Sequence, residues 1–169
     1  MSKTKVAQIE AVNNNLIPEW KEMDFGQFEG KNYEELKDNP DYQKWIDSNG
    51  TLPFPGGEPR EQFIRRSMEG FDWMMSDILI KSEKNTRIQN GTETQDLKNN
   101  CETEIPVVAV VHGGTIMAVL SSLTGGEYFD FQVKNGEGYE TVLEWIQGRW
   151  KITSLTKIGC KGSKSEYLQ

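Results

Sequence analysis

The segment around the only histidine of this chain, His112, constrains the fold more than any other. An apolar, largely β-branched run over residues 106–111 ends at His112, and two glycines then lead into an apolar helical pattern over residues 116–123. This order predicts a buried strand, a tight turn and a helix start. Because ligands of open α/β sheets bind at the carboxyl ends of the strands, His112 is predicted to lie at a binding site.

The helix start that follows His112 suits an anion. Its backbone amides donate hydrogen bonds, the helix dipole places partial positive charge there, and glycine lets a ligand approach closely. A lone histidine is more often a structural residue, but the surrounding pattern favours a functional one. We therefore predict that Gly113 and Gly114 bind an anion through their backbones, and that Thr115 contacts the anion or caps the helix.

Two further motifs precede this segment. Residues 22–31 read Glu-Met-Asp-Phe-Gly-Gln-Phe-Glu-Gly-Lys, and residues 55–58 read Pro-Gly-Gly-Glu. Together with His-Gly-Gly at 112–114, this order resembles the histidine phosphatase superfamily, also called the phosphoglycerate mutase-like family. The resemblance covers about residues 3–152 and is closest to the branch of α-ribazole phosphatase and the broad-specificity phosphatases.

The resemblance implies an α/β fold and a hydrolytic function. The expected architecture is a three-layer sandwich whose central, mostly parallel sheet carries helices on both faces. The expected ligand is a small phosphorylated metabolite, hydrolysed as a phosphomonoester, or a phosphate ion. No metal and no other cofactor are expected.

The resemblance also implies roles for three residues. His112 matches the second histidine of the family, which contacts the phosphoryl group and stabilises its charge. Glu22 matches the glutamate that protonates the leaving oxygen and later activates water. Lys3 falls near the second phosphate-binding arginine of the family and is expected to bind substrate. Glu22 and His112 are expected to be catalytic.

One motif of the family is missing from this sequence. Family members begin with a strand that ends in Arg-His-Gly, whose histidine is the nucleophile that becomes phosphorylated. Here the single histidine matches the second position, so the chain is expected to be an N-terminally truncated domain with impaired activity. The alternative is a non-catalytic phosphate-binding or protein-interaction domain derived from such a phosphatase.

The missing strand lies in the middle of the family's sheet, and its loss would leave backbone edges without partners. Unpaired edges recruit other strands. We therefore expect the sheet to pair with another copy of the chain or to rearrange. The interface is expected to involve residues 107–111 or the strand that would neighbour the missing one.

The chain is predicted to form one partial domain over residues 1–156. Within it, residues 81–104 are polar, include the turn signal Gln-Asn-Gly and are predicted to be a loop insertion. Residues 157–169 are predicted to be a polar C-terminal tail.

Local patterns predict the elements around the motifs. Asn32 and Pro40 are expected at the starts of two short helices, the first with a capping box. Apolar residues at three- and four-residue steps predict a helix over 58–80. Alternation of apolar and polar residues predicts a hairpin of strands 139–146 and 150–155.

Four charged residues near the motifs are interpreted as structural or solvent-facing. Glu29 and Glu58 are expected to bond loop amides. Arg65 and Arg66 could bind an anion, but their place on a long amphipathic helix favours a solvated face.

Composition excludes several classes of function. The net charge of −7 argues against nucleic-acid binding, and it means that an anionic substrate must be attracted by a local cationic site. No run of ~18 apolar residues would span a membrane, and the N-terminus lacks the apolar core of a secretory signal. Cys101 and Cys160 have no metal-ligand spacing, so reduced thiols and a cytoplasmic location are predicted.

Overall fold

A computed structural model describes residues 15–89 and 105–159 of the chain. It contains four α-helices in these ranges, α1 (Tyr33–Leu36), α2 (Pro40–Asp47), α3 (Arg60–Gln89) and α4 (Gly113–Thr124), and two strands, β1 (Glu137–Ile146) and β2 (Arg149–Gly159). Single turns of 3₁₀ helix lie at Pro18–Trp20, Gly26–Phe28 and Tyr128–Phe131. None of the helices in the described part of the chain combines the length and the hydropathy that a membrane span needs.

The two short helices begin at the predicted capping residues. The Asn32 side chain accepts a hydrogen bond from the Glu35 amide at 3.2 Å, and the Glu35 carboxylate accepts one from the Asn32 amide at 2.9 Å. The Asn39 side chain caps α2 by accepting hydrogen bonds from two of its amides, and Pro40 occupies the first helical position. Each cap satisfies amides that have no partner within the helix, which confirms both predicted starts.

Helix α3 is longer than its apolar pattern predicts. It continues to Gln89 instead of ending at Ile80, so the first part of the predicted loop insertion over 81–104 is helical. Residues 81–89 contain neither glycine nor proline and are rich in lysine, glutamate and other good helix formers. The helical backbone of α3 therefore continues beyond the apolar pattern, and residues 90–104 lie outside the described ranges.

A cluster of aromatic side chains joins the first two motifs. Phe28, Leu36 and Phe54 are buried together. The Trp45 and Phe54 rings stack with their centroids 4.7 Å apart, and Phe25 meets Phe54 edge-on at 5.6 Å. The cluster holds the first motif against the loop that precedes α3.

A second cluster joins α3 to α4. Phe63 of α3 and Ala118 of α4 are fully buried, and Tyr128 completes the cluster. Met23 packs against the same group. This contact carries the neighbouring Glu22 to the amino end of α4.

Strands β1 and β2 form an antiparallel hairpin, as the alternating pattern predicts. Gln147 and Gly148 make the turn, and both have positive φ (52° and 80°), as the favoured two-residue hairpin turns require. Strand β2 continues to Gly159, so the first residues of the predicted tail over 157–169 belong to the sheet. Residues 160–169 lie outside the described ranges.

The segment before His112 differs from its prediction. Residues 105–112 have no regular secondary structure, and Val108 and Val110 are 74% and 95% exposed. A strand is stabilised by hydrogen bonds to a neighbouring strand, and the β1–β2 hairpin is the only sheet within 15–89 and 105–159. The predicted buried strand is therefore wrong for this structure, and the parallel central sheet stays a prediction.

Candidate functional site

His112 and Glu22 meet at the start of α4. His112 occupies the position just before the helix, with extended backbone, and its Nδ1 lies 3.1 Å from Glu22 Oε2. Both side chains are partly open to solvent, and Glu22 Oε1 accepts a hydrogen bond from the Met23 amide at 2.9 Å. The structure thus brings together the two residues that the sequence predicts to be catalytic.

An open cleft of about 340 Å³ lies beside this pair. One side is formed by Glu22, Ile116 and residues 111–113, and another by the loop over residues 133–137. A methyl group added at Gly113 would lie 3.9 Å from Val133 Cγ2, which shows how closely this loop approaches the turn. Gly113, predicted to bind an anion, therefore lines the cleft.

Gly114 packs closely against Phe63 and Glu22, and its predicted backbone contact with an anion stays a prediction. A Cβ atom at this position would lie 3.1 Å from Phe63 Cζ and 3.2 Å from Glu22 Oε1. Both distances are tighter than ordinary van der Waals contact, and Gly114 does not line the cleft. The missing side chain lets the Glu22 carboxylate approach the helix.

The Thr115 side chain, predicted to contact an anion or cap the helix, does not line the described cleft. Thr115 is buried in the helix interface, and its hydroxyl has no hydrogen-bond partner among the residues that the structure describes. The Thr115 hydroxyl therefore neither caps α4 nor lines the cleft. Lys3 lies outside the described residues.

Arg66 fixes the backbone that carries Glu22. Its guanidinium donates two hydrogen bonds to the Glu58 carboxylate, at 2.8 and 2.7 Å. The other three N–H groups bond the carbonyl oxygens of Glu19, Lys21 and Glu22, at 2.5, 2.8 and 3.0 Å. All five donors of the side chain are thus used.

The predicted solvated face is wrong for Arg66, whose side chain is only 15% exposed, and right for the exposed Arg65. Arg66 also lies over the Phe63 ring, 4.6 Å from its centroid. The burial of Arg66 could have been predicted from its spacing in the sequence. Arg66 lies three residues after Phe63 and four before Gly70, so the three share one helix face, and both Phe63 and Gly70 are buried.

Glu29 bonds a loop amide, as predicted, whereas the Glu58 carboxylate accepts hydrogen bonds from the Arg66 side chain. The hydrogen bonds from Arg66, its positive charge and a backbone hydrogen bond lower the pKa of Glu58, although burial acts in the opposite direction. Glu29 Oε1 accepts a hydrogen bond from the Phe25 amide at 2.7 Å, and Asp24 Oδ1 accepts one from the Gly26 amide at 2.8 Å.

Tyr128 supports the helix start from the core side. Its hydroxyl donates a long hydrogen bond of 3.4 Å to the Gly114 carbonyl oxygen. Burial raises the pKa of Tyr128 to about 12, so the phenol stays neutral and remains a donor at neutral pH.

These groups can serve acid–base and anion chemistry. The cleft offers a carboxylic acid, an imidazole and the amino end of a twelve-residue helix. A carboxyl group and an imidazole beside a helix start are groups that can protonate a leaving oxygen and stabilise negative charge. Within the described ranges, no group of three His, Cys, Asp or Glu side chains is placed to hold a metal ion.

One comparison with known proteins identifies a family for the chain. The family model of the histidine phosphatase superfamily (branch 1) matches residues 4–158, a range that includes both Glu22 and His112. Searches of curated proteins and of solved structures find no match. Because the match extends over most of this chain, the chain belongs to branch 1 of the histidine phosphatase superfamily, which has an α/β fold.

Proposed function

We propose that the chain is a phosphatase-type domain whose cleft binds the phosphoryl group of a small phosphomonoester. In this proposal His112 and the amides of α4 stabilise the phosphoryl charge, and Glu22 protonates the leaving oxygen. The observation that carries the proposal is the 3.1 Å contact between His112 and Glu22 at the start of a helix, beside an open cleft.

The size of the cleft supports a small substrate. Its volume of about 340 Å³ is at the lower end of the range for small-molecule sites. A small phosphorylated metabolite also agrees with the resemblance of the motifs to the α-ribazole phosphatase and broad-specificity branch.

We further propose that these 169 residues hydrolyse phosphomonoesters at or near the background rate. The family reaction passes through a phosphorylated histidine, and the one histidine present sits where the second family histidine is expected. Loss of a covalent nucleophile removes several orders of magnitude in rate, although the other groups still bind the ligand.

Hydrolysis of p-nitrophenyl phosphate tests the catalytic part. The wild-type chain and the variants His112→Ala and Glu22→Gln are expected to show the same rate, close to that of buffer. Robust turnover by the wild type that His112→Ala abolishes would contradict this expectation.

Phosphate binding tests the site itself. Because the chain has one histidine, its imidazole ¹⁵N signals are unambiguous. Addition of inorganic phosphate is expected to shift them saturably, whereas chloride at matched ionic strength shifts them little. Signals that respond equally to both salts would rule out a phosphate site at His112.

The second candidate function is a non-catalytic interaction domain. The exposed, unpaired apolar residues 107–110 favour it, because such a segment can pair with a strand of another chain. Self-association through this segment separates this candidate from a simple phosphate-binding domain.

A further inference from the structure

Lys134 lies on the loop that forms part of the cleft wall. The loop over residues 133–137 lines the same cleft as His112 and Glu22. The Glu137 amide donates a hydrogen bond to the Lys134 carbonyl oxygen at 3.0 Å, and Glu137 Oε2 accepts one from the Lys134 amide at 3.0 Å. These two bonds fix the backbone that carries Lys134.

The charged groups that line the cleft differ in whether they are paired. Glu22 contacts His112, and Glu137 makes an ion pair with Lys157 at 3.2 Å. The Lys134 ammonium has no carboxylate within 4 Å among the described residues. Lys134 is also the only lysine or arginine among the described residues that line the cleft. A ligand at His112 therefore shares its cleft with one lysine that makes no ion pair within 4 Å to any described carboxylate.

Resting on the proposed function, we propose that Lys134 is a specificity-determining residue that favours phosphomonoesters with a second negative charge on their alcohol portion. The phosphoryl group is placed at His112 and Gly113, on a different segment from Lys134. The cleft is larger than a phosphoryl group, so the rest of the ester extends along its walls. Because the chain carries a net charge of −7, only a local cation attracts an additional anionic group.

A matched pair of ligands tests this proposal. Phosphoglycolate and ethyl phosphate both carry a phosphoryl group on a two-carbon unit, and only phosphoglycolate has a carboxylate. Titrations at low ionic strength, followed through the His112 imidazole signals, give the ratio of the two dissociation constants. We expect the wild type to bind phosphoglycolate about twofold to fivefold more tightly, the range of one solvent-exposed ion pair.

Three variants complete the experiment. Lys134→Met is expected to bring the ratio to one, and Lys134→Arg to preserve it because the charge is kept. Lys44→Met makes the same change of net charge on α2, outside the cleft, and is expected to leave the ratio unchanged. Added salt should reduce the wild-type ratio, since screening weakens an exposed pair.

The outcomes separate this inference from the function on which it rests. Equal affinities for the two ligands in the wild type would overturn the role of Lys134 and leave the phosphate site intact. So would an equal loss of affinity for both ligands in Lys134→Met, which would place Lys134 at the phosphoryl group instead. If neither ligand shifts the His112 signals, the proposed function itself is wrong.

Discussion

At the scale of single residues, the position of Glu22 depends on Arg66. The guanidinium holds three carbonyl oxygens of the segment that ends at Glu22 and pairs with Glu58. Arg66→Gln leaves the Glu58 carboxylate without its partner and the carbonyls without donors. We expect a loss of about 3 kcal/mol in the free energy of unfolding, measured with urea, as for other broken buried pairs.

Arg65→Gln provides the matched control, because Arg65 neighbours Arg66 on α3 but is exposed. Arg65→Gln should lower the free energy of unfolding by no more than about 0.5 kcal/mol. The His112 imidazole signals should move in Arg66→Gln and not in Arg65→Gln, since only the first change displaces Glu22. Equal effects of the two substitutions on stability and on these signals would contradict the positioning role of Arg66.

The same pair gives the protein a pH dependence at the acid end. Hydrogen bonding to Arg66 holds the pKa of Glu58 below its ordinary value of 4.5 in the folded state. The unfolded chain therefore binds the proton more readily, so the stabilisation is complete above the unfolded pKa and is lost as the pH falls through the folded one. We expect Glu58→Gln to be less stable at neutral pH and to lose less stability than the wild type between roughly pH 5 and pH 3. Parallel unfolding curves for both proteins over that interval would contradict this.

The contrast between Glu22 and Lys134 shows what sequence can predict about the site. Glu22 and His112 belong to motifs whose order along the chain indicates a shared site, so their proximity could be anticipated. Lys134 belongs to no such motif and reaches the cleft because Val133 packs beside Gly113. That contact depends on tertiary packing between segments, which no local pattern records.

At the scale of elements, two loops of the first motifs depend on glycine at their contact. Gly26 has φ of +55°, and a Cβ atom there would lie 2.4 Å from the Gly57 nitrogen. Gly30 also has positive φ, +70°, but a Cβ atom there meets nothing within 4 Å. Gly30→Ala is therefore expected to lower the free energy of unfolding by about 1 kcal/mol, from backbone strain alone. Gly26→Ala adds a clash with backbone and should cost roughly 3 kcal/mol or more.

Thermal or urea unfolding of the two alanine variants measures this difference. Equal losses would mean that the contact between residues 24–26 and 55–57 opens without cost, and that the motifs do not stabilise each other. A larger loss for Gly26→Ala would explain why both motifs carry glycine at the point where their backbones meet.

The elements that the sequence predicts well are those that local interactions determine. Asn32 and Asn39 start helices through their own side chains, and Gln147 and Gly148 close a hairpin by backbone conformation alone. The segment over residues 105–111 has strand-forming residues, but a strand needs a partner whose position the segment does not encode. The end of α3 is likewise not given by its apolar pattern, because polar residues can continue a helix.

At the scale of the whole molecule, the core and the apolar surface are unevenly placed. Apolar side chains such as Phe28, Phe63 and Ala118 are buried in two clusters, whereas Val108 and Val110 before His112 are exposed. Within residues 15–89 and 105–159, the backbone of residues 105–111 pairs with no strand, and such a segment can pair with a strand of another chain. The combination of apolar side chains and free backbone favours association between copies of the chain.

We expect the protein to associate in solution through residues 105–111, and we expect Val110→Lys to weaken that association. Val110 is 95% exposed, so a lysine there should not disturb the fold, but it places charge on the surface that would pair. Leu16→Lys is the matched control, because Leu16 is also apolar and 92% exposed but lies outside this segment. Sedimentation velocity over a range of concentrations should show a smaller average mass for Val110→Lys than for the wild type and for Leu16→Lys. A wild-type protein that stays monomeric and unfolds cooperatively would instead mean that the segment forms no intermolecular strand, and the interaction-domain alternative would lose its support.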